Sequence, residues 1–570
     1  MRQGQGRLLL LGALLLIASG VFSIRLYGLQ ISQGEELREV ANNQYYTASE
    51  NTPYSRGSIF FTEKGGARIT AAGINSGYIL AINPSKITDP QKLYSKLNEV
   101  VTLDYEAYLS KSSKKDDPYE ELRTHLSQAE AEEIKSLELE GVTLVKEQWR
   151  FYPANALGAQ IVGFVGFGKD GLKGQYGVEH QFDQSLSRES TSIYKNFFKN
   201  LFSDISSQVL VADSERKADI NLTIEPRVQA YSESVISDVV NKWHAKSGSI
   251  TIIDPVTGEI VALAMSPTFD PNKYSTQENA EAYSNNVVEK VYEMGSIMKP
   301  LTIAAGLDSG AINTDSTYLD KGVIELDGKV IGNYDKRGRG TVGLQDILNQ
   351  SLNTGTVFVV SKMGHDRYLE YLKRYGFFDR TGIDLPNEAN NLVSNLTNGK
   401  DVEYATASFG QGIAVSPISM TRALASLANG GYLIKPQIVK SVDYTLGGTE
   451  VTKVTEQGRT ISNEASEEVT RMLVNVVDKY LANGKVRMEH YSIAAKTGTA
   501  ELQDSLRGGY YTDRYLHTFF GYFPAYKPRF LVLLILEEPR DIRYASETLS
   551  MPFKDTVEYL INYYQISPDR

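Results

Sequence analysis

Residues 293–300 read Glu-Met-Gly-Ser-Ile-Met-Lys-Pro and lead into the apolar run Leu301-Thr-Ile-Ala-Ala-Gly306. Because Pro300 has no amide hydrogen, it fits an α-helix only in the first turn, so a helix must begin close to Lys299. Ser296 then lies at the amino end of that helix, where backbone N–H groups favour a developing negative charge. A lysine amine three residues later can reach the hydroxyl and take its proton. The stretch predicts Ser296 as a nucleophile and Lys299 as its base.

The Ser-x-x-Lys pattern is weak by itself, because the chain contains it four times. The other copies are Ser112/Lys115, Ser192/Lys195 and Ser214/Lys217. They lie in polar, linker-like sequence, and we interpret them as solvated surface. Only the copy at Ser296 follows a glycine and precedes a long apolar helical run.

A lysine base needs a lowered pKa, because at the ordinary value near 10.4 only about one amine in 2,500 is neutral at pH 7. Burial or a second cation within about 4–6 Å lowers it. Lys496, in the strand pattern Ala495-Lys-Thr-Gly-Thr499, is the candidate for that cation, and Gly498 is expected to let a substrate backbone approach closely. Ser351-Leu-Asn353, inside a helical pattern over Gly343–Met363, completes the set. Both short motifs have a second copy, at Lys246-Ser-Gly248 and Ser284-Asn-Asn286, but only the chosen copies follow the dyad in this order.

Strand patterns lie at both ends of the carboxy-terminal part, and helical patterns lie between them. The strand candidates are Ile220–Ile224, Ser249–Asp254, Ile260–Met265, Ile493–Thr499, Thr518–Tyr522 and Phe530–Leu536. This order predicts an α+β domain whose sheet is assembled from distant segments. We place this domain at residues 219–570. Residues 25–218 form an amino-terminal domain with a linker, in which Tyr119–Leu139 has a helical pattern.

Composition excludes several classes of protein. The 570-residue chain has no cysteine, so disulfides, thiolate nucleophiles and cysteine metal sites are absent. Its six histidines are scattered, which disfavours a histidine metal site, and we expect no metal and no cofactor. The net charge of −10 argues against binding to nucleic acid.

An apolar, uncharged run, Leu8–Ile24, lies between Arg7 and Arg25. As a helix it would span about 26 Å, and the apolar pattern continues beyond it, so crossing a membrane is feasible. We favour an uncleaved anchor over a cleaved signal peptide. More positive charge precedes the run than follows it, which predicts that residues 1–7 are cytoplasmic and the rest extracytoplasmic.

With these motifs the chain resembles the class B penicillin-binding proteins, membrane-anchored D,D-transpeptidases of bacterial cell-wall synthesis. The resemblance covers about Arg56 to Glu538. It includes, besides the three active-site motifs, Arg56-Gly-Ser-Ile59, Arg150-Phe-Tyr-Pro153, Gly163-Phe-Val-Gly166, Gly177-Val-Glu179, Asp254-Pro-Val-Thr-Gly258, Gly410-Gln-Gly412 and Ala428-Asn-Gly-Gly431. The chain departs from the family after Ile59, where Phe60-Phe-Thr-Glu-Lys-Gly65 replaces an Asp-Arg-Asn-Gly-like turn.

The resemblance implies an antiparallel sheet with helices on both sides, preceded by an elongated, mostly-β pedestal similar to a dimerisation domain. It also implies roles for single residues. Ser296 would attack the penultimate D-Ala of a peptidoglycan stem peptide, and Lys299 would take its proton. Ser351 and Asn353 would pass a proton to the leaving amine and hold the substrate amide. Lys496 would supply positive charge, Thr497 and Thr499 would bind the terminal carboxylate, and the N–H groups of Ser296 and Thr499 would form the oxyanion hole beside Gly498.

The implied partners are stem peptides ending in D-Ala-D-Ala, β-lactams, the cytoplasmic membrane, and a membrane glycosyltransferase with other division or elongation proteins. A division role is favoured over elongation because the pedestal and the cytoplasmic tail are short. Three other interpretations stay open: a β-lactamase, a D,D-carboxypeptidase, and a non-catalytic scaffold of the cell-wall machinery.

Overall fold

A computed structural model describes residues 55–168, 171–187, 217–277, 279–445, 447–504 and 507–570. Its strands are β1 Ile59–Thr62, β2 Arg68–Ile82, β3 Glu120–Leu126, β4 Val142–Phe151, β5 Val165–Gly168, β6 Gly171–Gly174, β7 Ala218–Leu222, β8 Ser247–Ile253, β9 Ile260–Ser266, β10 Thr317–Asp320, β11 Val323–Leu326, β12 Lys329–Gly332, β13 Gly340–Gly343, β14 Tyr432–Ile434, β15 Val439–Tyr444, β16 Thr449–Val451, β17 Glu456–Arg459, β18 Ala494–Gln503, β19 Tyr510–Phe523 and β20 Phe530–Glu537.

The α-helices are α1 Pro90–Val100, α2 Tyr105–Ser112, α3 Gln128–Ser136, α4 Ala159–Val162, α5 Gly177–Gln181, α6 Asp183–Leu186, α7 Pro226–Lys242, α8 Asn286–Glu289, α9 Lys299–Asp308, α10 Leu344–Asn349, α11 Asn353–Met363, α12 His365–Arg374, α13 Asp401–Ala407, α14 Pro417–Ala428, α15 Asn463–Asn475, α16 Ala545–Thr548 and α17 Ser550–Tyr564. Local sequence explains where many begin. At α7, for example, Pro226 occupies the first turn and the Glu225 carboxylate accepts the Val228 N–H.

Two compact units make up the described chain. The smaller unit comprises Ile74–Arg150, and the larger comprises Gly57–Gly73, Phe151–Ser187 and the chain from residue 217 onward. Two segments that precede the expected boundary at residue 219 therefore pack with the larger unit. One reason is a strand pairing: β1 lies parallel to β7, with Ile59 opposite Ile220.

The smaller unit mixes strands and helices. Residues 78–82 of β2 pair with β3, β4 also pairs with β2, and α1, α2 and α3 complete the unit around a core that includes Leu80, Leu97 and Leu126. The expectation of a mostly-β pedestal is wrong for the described residues, because residues 55–187 form six strands and six α-helices.

The helix predicted at Tyr119–Leu139 is wrong in its first half. Residues 120–126 form the strand β3, and the helix α3 begins only after Ser127, whose hydroxyl accepts the Glu130 N–H. Pairing with β2 decides the conformation of the first half, and a periodic pattern in one segment cannot reveal such a partner.

The larger unit contains a five-stranded antiparallel sheet in the order β18-β19-β20-β8-β9. Phe519 of β19 stacks on Phe553 of α17, with ring centroids 4.4 Å apart. Tyr522 points to the opposite face, where its hydroxyl lies 2.7 Å from Thr470 of α15. The α+β sheet with helices on both sides is thus confirmed, and its strands come from the two distant segments as predicted. The strand predicted from Ile220 belongs instead to a second sheet of this unit, as β7 between β15 and β1.

No helix within the described ranges is long and apolar enough to cross a membrane. The predicted anchor, Leu8–Ile24, lies outside those ranges.

Candidate active site

Ser296 lies in a 3-10 turn, Gly295–Met298, that leads directly into α9. Lys299 is the first residue of that helix and Pro300 lies in its first turn, as predicted. Gly295 has a φ of +63° and donates its N–H to the Gly410 carbonyl oxygen at 3.0 Å. A Cβ on Gly295 would lie 3.1 Å from the Thr499 carbonyl oxygen. The glycine is therefore needed both for its backbone conformation and for the close contact between the turn and β18.

Lys299 is completely buried. Its Nζ donates to the Ser351 carbonyl oxygen at 2.5 Å and to the Ser351 hydroxyl oxygen at 3.2 Å. Burial, with the charge of Lys496 as a second cause, holds the pKa of Lys299 well below its ordinary value. The predicted effect of Lys496 is confirmed in direction, but desolvation is the larger cause. The structure thus favours the neutral amine that a base requires.

Ser351 lies in a break between two helices. The sequence predicts one helix over Gly343–Met363, but α10 ends at Asn349 and α11 begins at Asn353. Ser351 has a φ of +54°, which is unfavourable for a serine. This conformation directs both its carbonyl and its hydroxyl at Lys299, which a continuous helix could not do.

Asn353 donates its side-chain Nδ2 to the Gly332 carbonyl oxygen at 2.8 Å, so its Oδ1 is oriented to accept. The next residue, Thr354, joins a buried network. Its hydroxyl donates to Asp320 at 2.8 Å, and Asn333 donates to both oxygens of the same carboxylate. This network fixes the start of α11. Sequence reasoning missed Asp320 and Asn333, because neither belongs to a short motif near Ser351.

Lys496 lies on β18 with 4% of its surface exposed. Its Nζ donates to the Thr497 carbonyl oxygen at 3.1 Å, and burial lowers the pKa of Lys496 to about 8. A Cβ at Gly498 would lie 2.3 Å from the Thr518 hydroxyl and 2.8 Å from the Met294 carbonyl oxygen. Gly498 therefore allows the protein's own nucleophile turn to approach β18. The predicted approach of a substrate backbone stays a prediction.

Thr497 and Thr499 alternate with Lys496 and Gly498 along β18, which is an edge strand of the sheet. Thr499 lies opposite His517 in the β18–β19 ladder. Its hydroxyl oxygen accepts the N–H of Ala545 at 3.1 Å. Thr499 is therefore oriented by a residue that lies outside the three motifs.

Glu293, three residues before the nucleophile, is a buried carboxylate that sequence reasoning did not identify as functional. It accepts the Gly412 N–H at 3.1 Å, the Gln503 amide at 2.8 Å and the Tyr510 hydroxyl at 3.0 Å. Burial raises its pKa despite these donors. One side chain thus connects the nucleophile turn to the 410–412 loop and to both strands of the β18–β19 hairpin.

The other copies of the motifs are structural where they are described. Lys246 forms an ion pair with Glu537 at 2.7 Å, and Lys115 donates to the Pro84 carbonyl oxygen at 2.7 Å. Ser192, Lys195 and Ser214 lie outside the described residues. No group of three or more metal-ligating side chains occurs among the residues that the structure describes.

A cavity of about 610 Å³ lies beside α11. Its walls include Tyr318, Thr354, Phe358, and His365 with Asp401, whose Nε2 and carboxylate oxygen lie 3.2 Å apart. Ser296 is not among its lining residues, so this space is separate from the catalytic groups.

Two family descriptions match the chain. Residues 248–558 match the "Penicillin binding protein transpeptidase domain", and residues 55–196 match the "Penicillin-binding Protein dimerisation domain". The first match covers more than half of the chain and contains all eight predicted site residues. The second agrees with the predicted amino-terminal domain of dimerisation type.

Similar curated proteins include "Stage V sporulation protein D" of Bacillus subtilis, 28% identical over 93% of this chain and 81% of that protein. They also include the "Peptidoglycan D,D-transpeptidase FtsI homolog" of Mesostigma viride, 28% identical over 99% and 97%. Among solved structures, penicillin-binding protein 2X of Streptococcus thermophilus has a similar fold. Its TM-score is 0.74 at 21% identity, over 91% of this chain and 81% of that one.

Proposed function

The chain belongs to the penicillin-binding protein transpeptidase family, and we propose that it is a serine-type peptidoglycan D,D-transpeptidase acting in septal wall synthesis. The single observation that carries the chemistry is the completely buried Lys299, one helical turn from Ser296 and bonded to Ser351. The relative named peptidoglycan D,D-transpeptidase FtsI homolog, similar along nearly all of the chain, supports both the reaction and the septal role.

Acylation begins at Ser296. Its Oγ attacks the carbonyl carbon of the penultimate D-Ala in a stem peptide, and the neutral amine of Lys299 takes the hydroxyl proton. The negative charge that forms on the carbonyl oxygen is stabilised by the backbone N–H groups of Ser296 and Thr499. The buried cation of Lys496 adds a favourable field, because electrostatic effects are strong in a poorly solvated site.

The tetrahedral intermediate then expels the terminal D-Ala. The Ser351 hydroxyl, 3.2 Å from the Lys299 amine, is placed to pass the proton from Lys299 to the nitrogen of the leaving group. An ester between Ser296 and the remaining stem peptide is left. The amine of a neighbouring stem peptide attacks this ester and gives up a proton through the same groups, which now act in reverse. An amide bond forms, the ester bond to Ser296 breaks, and the cross-linked peptide leaves as the Ser296 hydroxyl is regenerated.

The substrate binds beside the free edge of β18. This strand is the end of the five-stranded sheet, so its outer backbone groups can pair with an extended peptide. Asn353 Oδ1 accepts an amide N–H of the substrate, and Thr497 and Thr499 bind the terminal carboxylate next to the charge of Lys496. A β-lactam acylates Ser296 in the same way, because its amide carbonyl takes the place of the D-Ala carbonyl.

The experiment is labelling of the full-length chain with a fluorescent penicillin, compared with Ser296→Ala. We expect a covalent adduct in the wild type and none in the variant. An unlabelled but folded wild type would support the non-catalytic scaffold.

A second experiment uses a D-Ala-D-Ala stem peptide and an acceptor amine. Cross-linked dimers indicate the transpeptidase, and simple D-Ala release indicates a carboxypeptidase. Rapid turnover of the penicillin indicates a β-lactamase.

The cellular part of the proposal is a single-pass membrane protein, anchored by Leu8–Ile24 with residues 1–7 in the cytoplasm. Its partners are a membrane glycosyltransferase and other division proteins. A fluorescent fusion should localise to midcell, and localisation along the sidewall would support the elongation role instead.

A further inference from the structure

His517 is a completely buried histidine that has no part in the reaction proposed above. It lies on β19, directly opposite Thr499 of β18. Its Nε2 lies 3.0 Å from the Arg543 carbonyl oxygen and its Nδ1 lies 2.9 Å from the Thr548 hydroxyl. Both ring nitrogens thus bond to the segment 543–548 that contains α16.

The bonding partners define the protonation of the ring. A carbonyl oxygen can only accept, so the hydrogen of the imidazole is on Nε2. Burial lowers the pKa of His517 to about 4, so the ring is neutral near pH 7 and Nδ1 accepts from the Thr548 hydroxyl. The ring acts as a fixed bridge: it donates to one end of the segment and accepts from the other.

The same segment reaches the active site through Ala545. The Ala545 N–H donates to the Thr499 hydroxyl oxygen at 3.1 Å, while the Thr548 hydroxyl also lies 3.2 Å from the Ala545 carbonyl oxygen. A hydroxyl that accepts from an N–H keeps its own hydrogen for another acceptor. For Thr499 that acceptor can be a carboxylate, the group with which a hydroxyl forms a short, charge-assisted bond.

We propose that His517 is a positioning residue for recognition of the substrate's terminal carboxylate. It fixes residues 543–548, so that the Ala545 N–H orients the Thr499 hydroxyl with its hydrogen towards the carboxylate. This inference rests on the proposed function, because it assigns the carboxylate to Thr499.

The test measures second-order acylation rate constants with two probes, benzylpenicillin and its methyl ester, which differ only in the carboxylate. The variants are His517→Phe, which keeps a ring but loses both bonds, and Thr548→Val, which removes one hydroxyl. Thr548→Ser is the matched control because it keeps that hydroxyl.

In His517→Phe and Thr548→Val, we expect acylation by benzylpenicillin to fall about tenfold or more, as for loss of a hydrogen bond to a charged group. Acylation by the ester should change less than about threefold, and Thr548→Ser should resemble the wild type.

An equal loss with both probes would mean that His517 only supports the fold, and no loss with either would mean that the segment does not orient Thr499; each result overturns the inference. If His517→Phe does not fold, the comparison of Thr548→Val with Thr548→Ser decides in its place. A folded wild type that neither probe acylates would overturn the proposed function, and the inference with it.

Discussion

The amine of Lys299 is bonded twice to one residue: to the Ser351 carbonyl oxygen at 2.5 Å and to the Ser351 hydroxyl oxygen at 3.2 Å. The carbonyl bond is independent of the side chain and anchors the amine. The hydroxyl bond is the path that we propose for the proton. The two functions of Ser351 can therefore be separated by mutation.

Ser351→Ala keeps the carbonyl anchor and removes only the proton path. We expect acylation by a fluorescent penicillin to continue at a rate lower by about 10²–10⁴-fold, the usual contribution of a general acid or base. Lys299→Met should not be acylated measurably. Ser361→Ala, at an exposed position on the same helix as Asn353, is the control and should match the wild type. A wild-type rate in Ser351→Ala would exclude this path.

The rate of acylation should depend on pH through both lysines. It should rise as Lys299 loses its proton, and fall as Lys496, whose pKa is about 8, loses its charge. Lys496→Arg keeps a cation that stays protonated, so the alkaline fall should move to higher pH. Lys496→Ala removes the charge that lowers the pKa of Lys299, so the acid limb should move to higher pH as well. Rates measured across about pH 6–10 check this. An unmoved acid limb in Lys496→Ala would show that Lys496 does not lower the pKa of Lys299, and an unmoved alkaline limb in Lys496→Arg would show that Lys496 does not cause the alkaline fall.

Burial of Lys496 should reduce the stability of the protein. Its folded pKa of about 8 lies below the ordinary 10.5, so unfolding takes up a proton between these values and the free energy of unfolding rises with pH there. Below pH 8 the full cost is about 3 kcal/mol, at about 1.4 kcal/mol for each pH unit. Lys496→Met should therefore be inactive but more stable than the wild type at pH 7. Thermal unfolding should show that the stability difference between Lys496→Met and the wild type shrinks from pH 8 to 10.5. A difference that does not depend on pH would show that the buried charge of Lys496 is not its cause.

Glu293 should support both stability and rate. Glu293→Ala removes a buried carboxylate that accepts three hydrogen bonds, and we expect it to lower the free energy of unfolding by on the order of 1–2 kcal/mol and to slow acylation. Tyr510→Phe removes one donor and should cost about 1 kcal/mol. Tyr511→Phe, its neighbour, is the control. Denaturant unfolding and acylation rates check both effects, and unchanged acylation in a folded Glu293→Ala would show that the carboxylate does not position the nucleophile turn.

The sequence predicted much of the catalytic domain because its signals are local. Pro300 restricts the start of α9, which places Ser296 in the turn before it. In the central sheet β9 and β20 are nearly continuous apolar runs, so their existence followed from the sequence pattern, whereas β19 begins at Tyr510, eight residues before the predicted Thr518. Because the chain has no cysteine and its histidines are scattered, its composition favours a mechanism that uses a serine and a lysine.

Other features depend on residues far apart in the chain. The pairing of β1 with β7 assigns Gly57–Gly73 to the larger unit, and the pairing of β3 with β2 makes residues 120–126 a strand. Neither partner is visible in a local pattern, because strand pairing depends on tertiary contacts as well as on propensity.

The sequence by itself determined which residues form the three motifs to which we assign the chemistry: Ser296, Lys299, Ser351, Asn353 and Lys496 through Thr499. Only the tertiary structure decided how they work together. It buries Lys299 and Lys496, breaks the helix so that Ser351 faces the amine, and orients Thr499 through Ala545 and His517. The physical reason is that desolvation, charge coupling and hydrogen-bond direction depend on distances between elements, which no single segment of sequence contains.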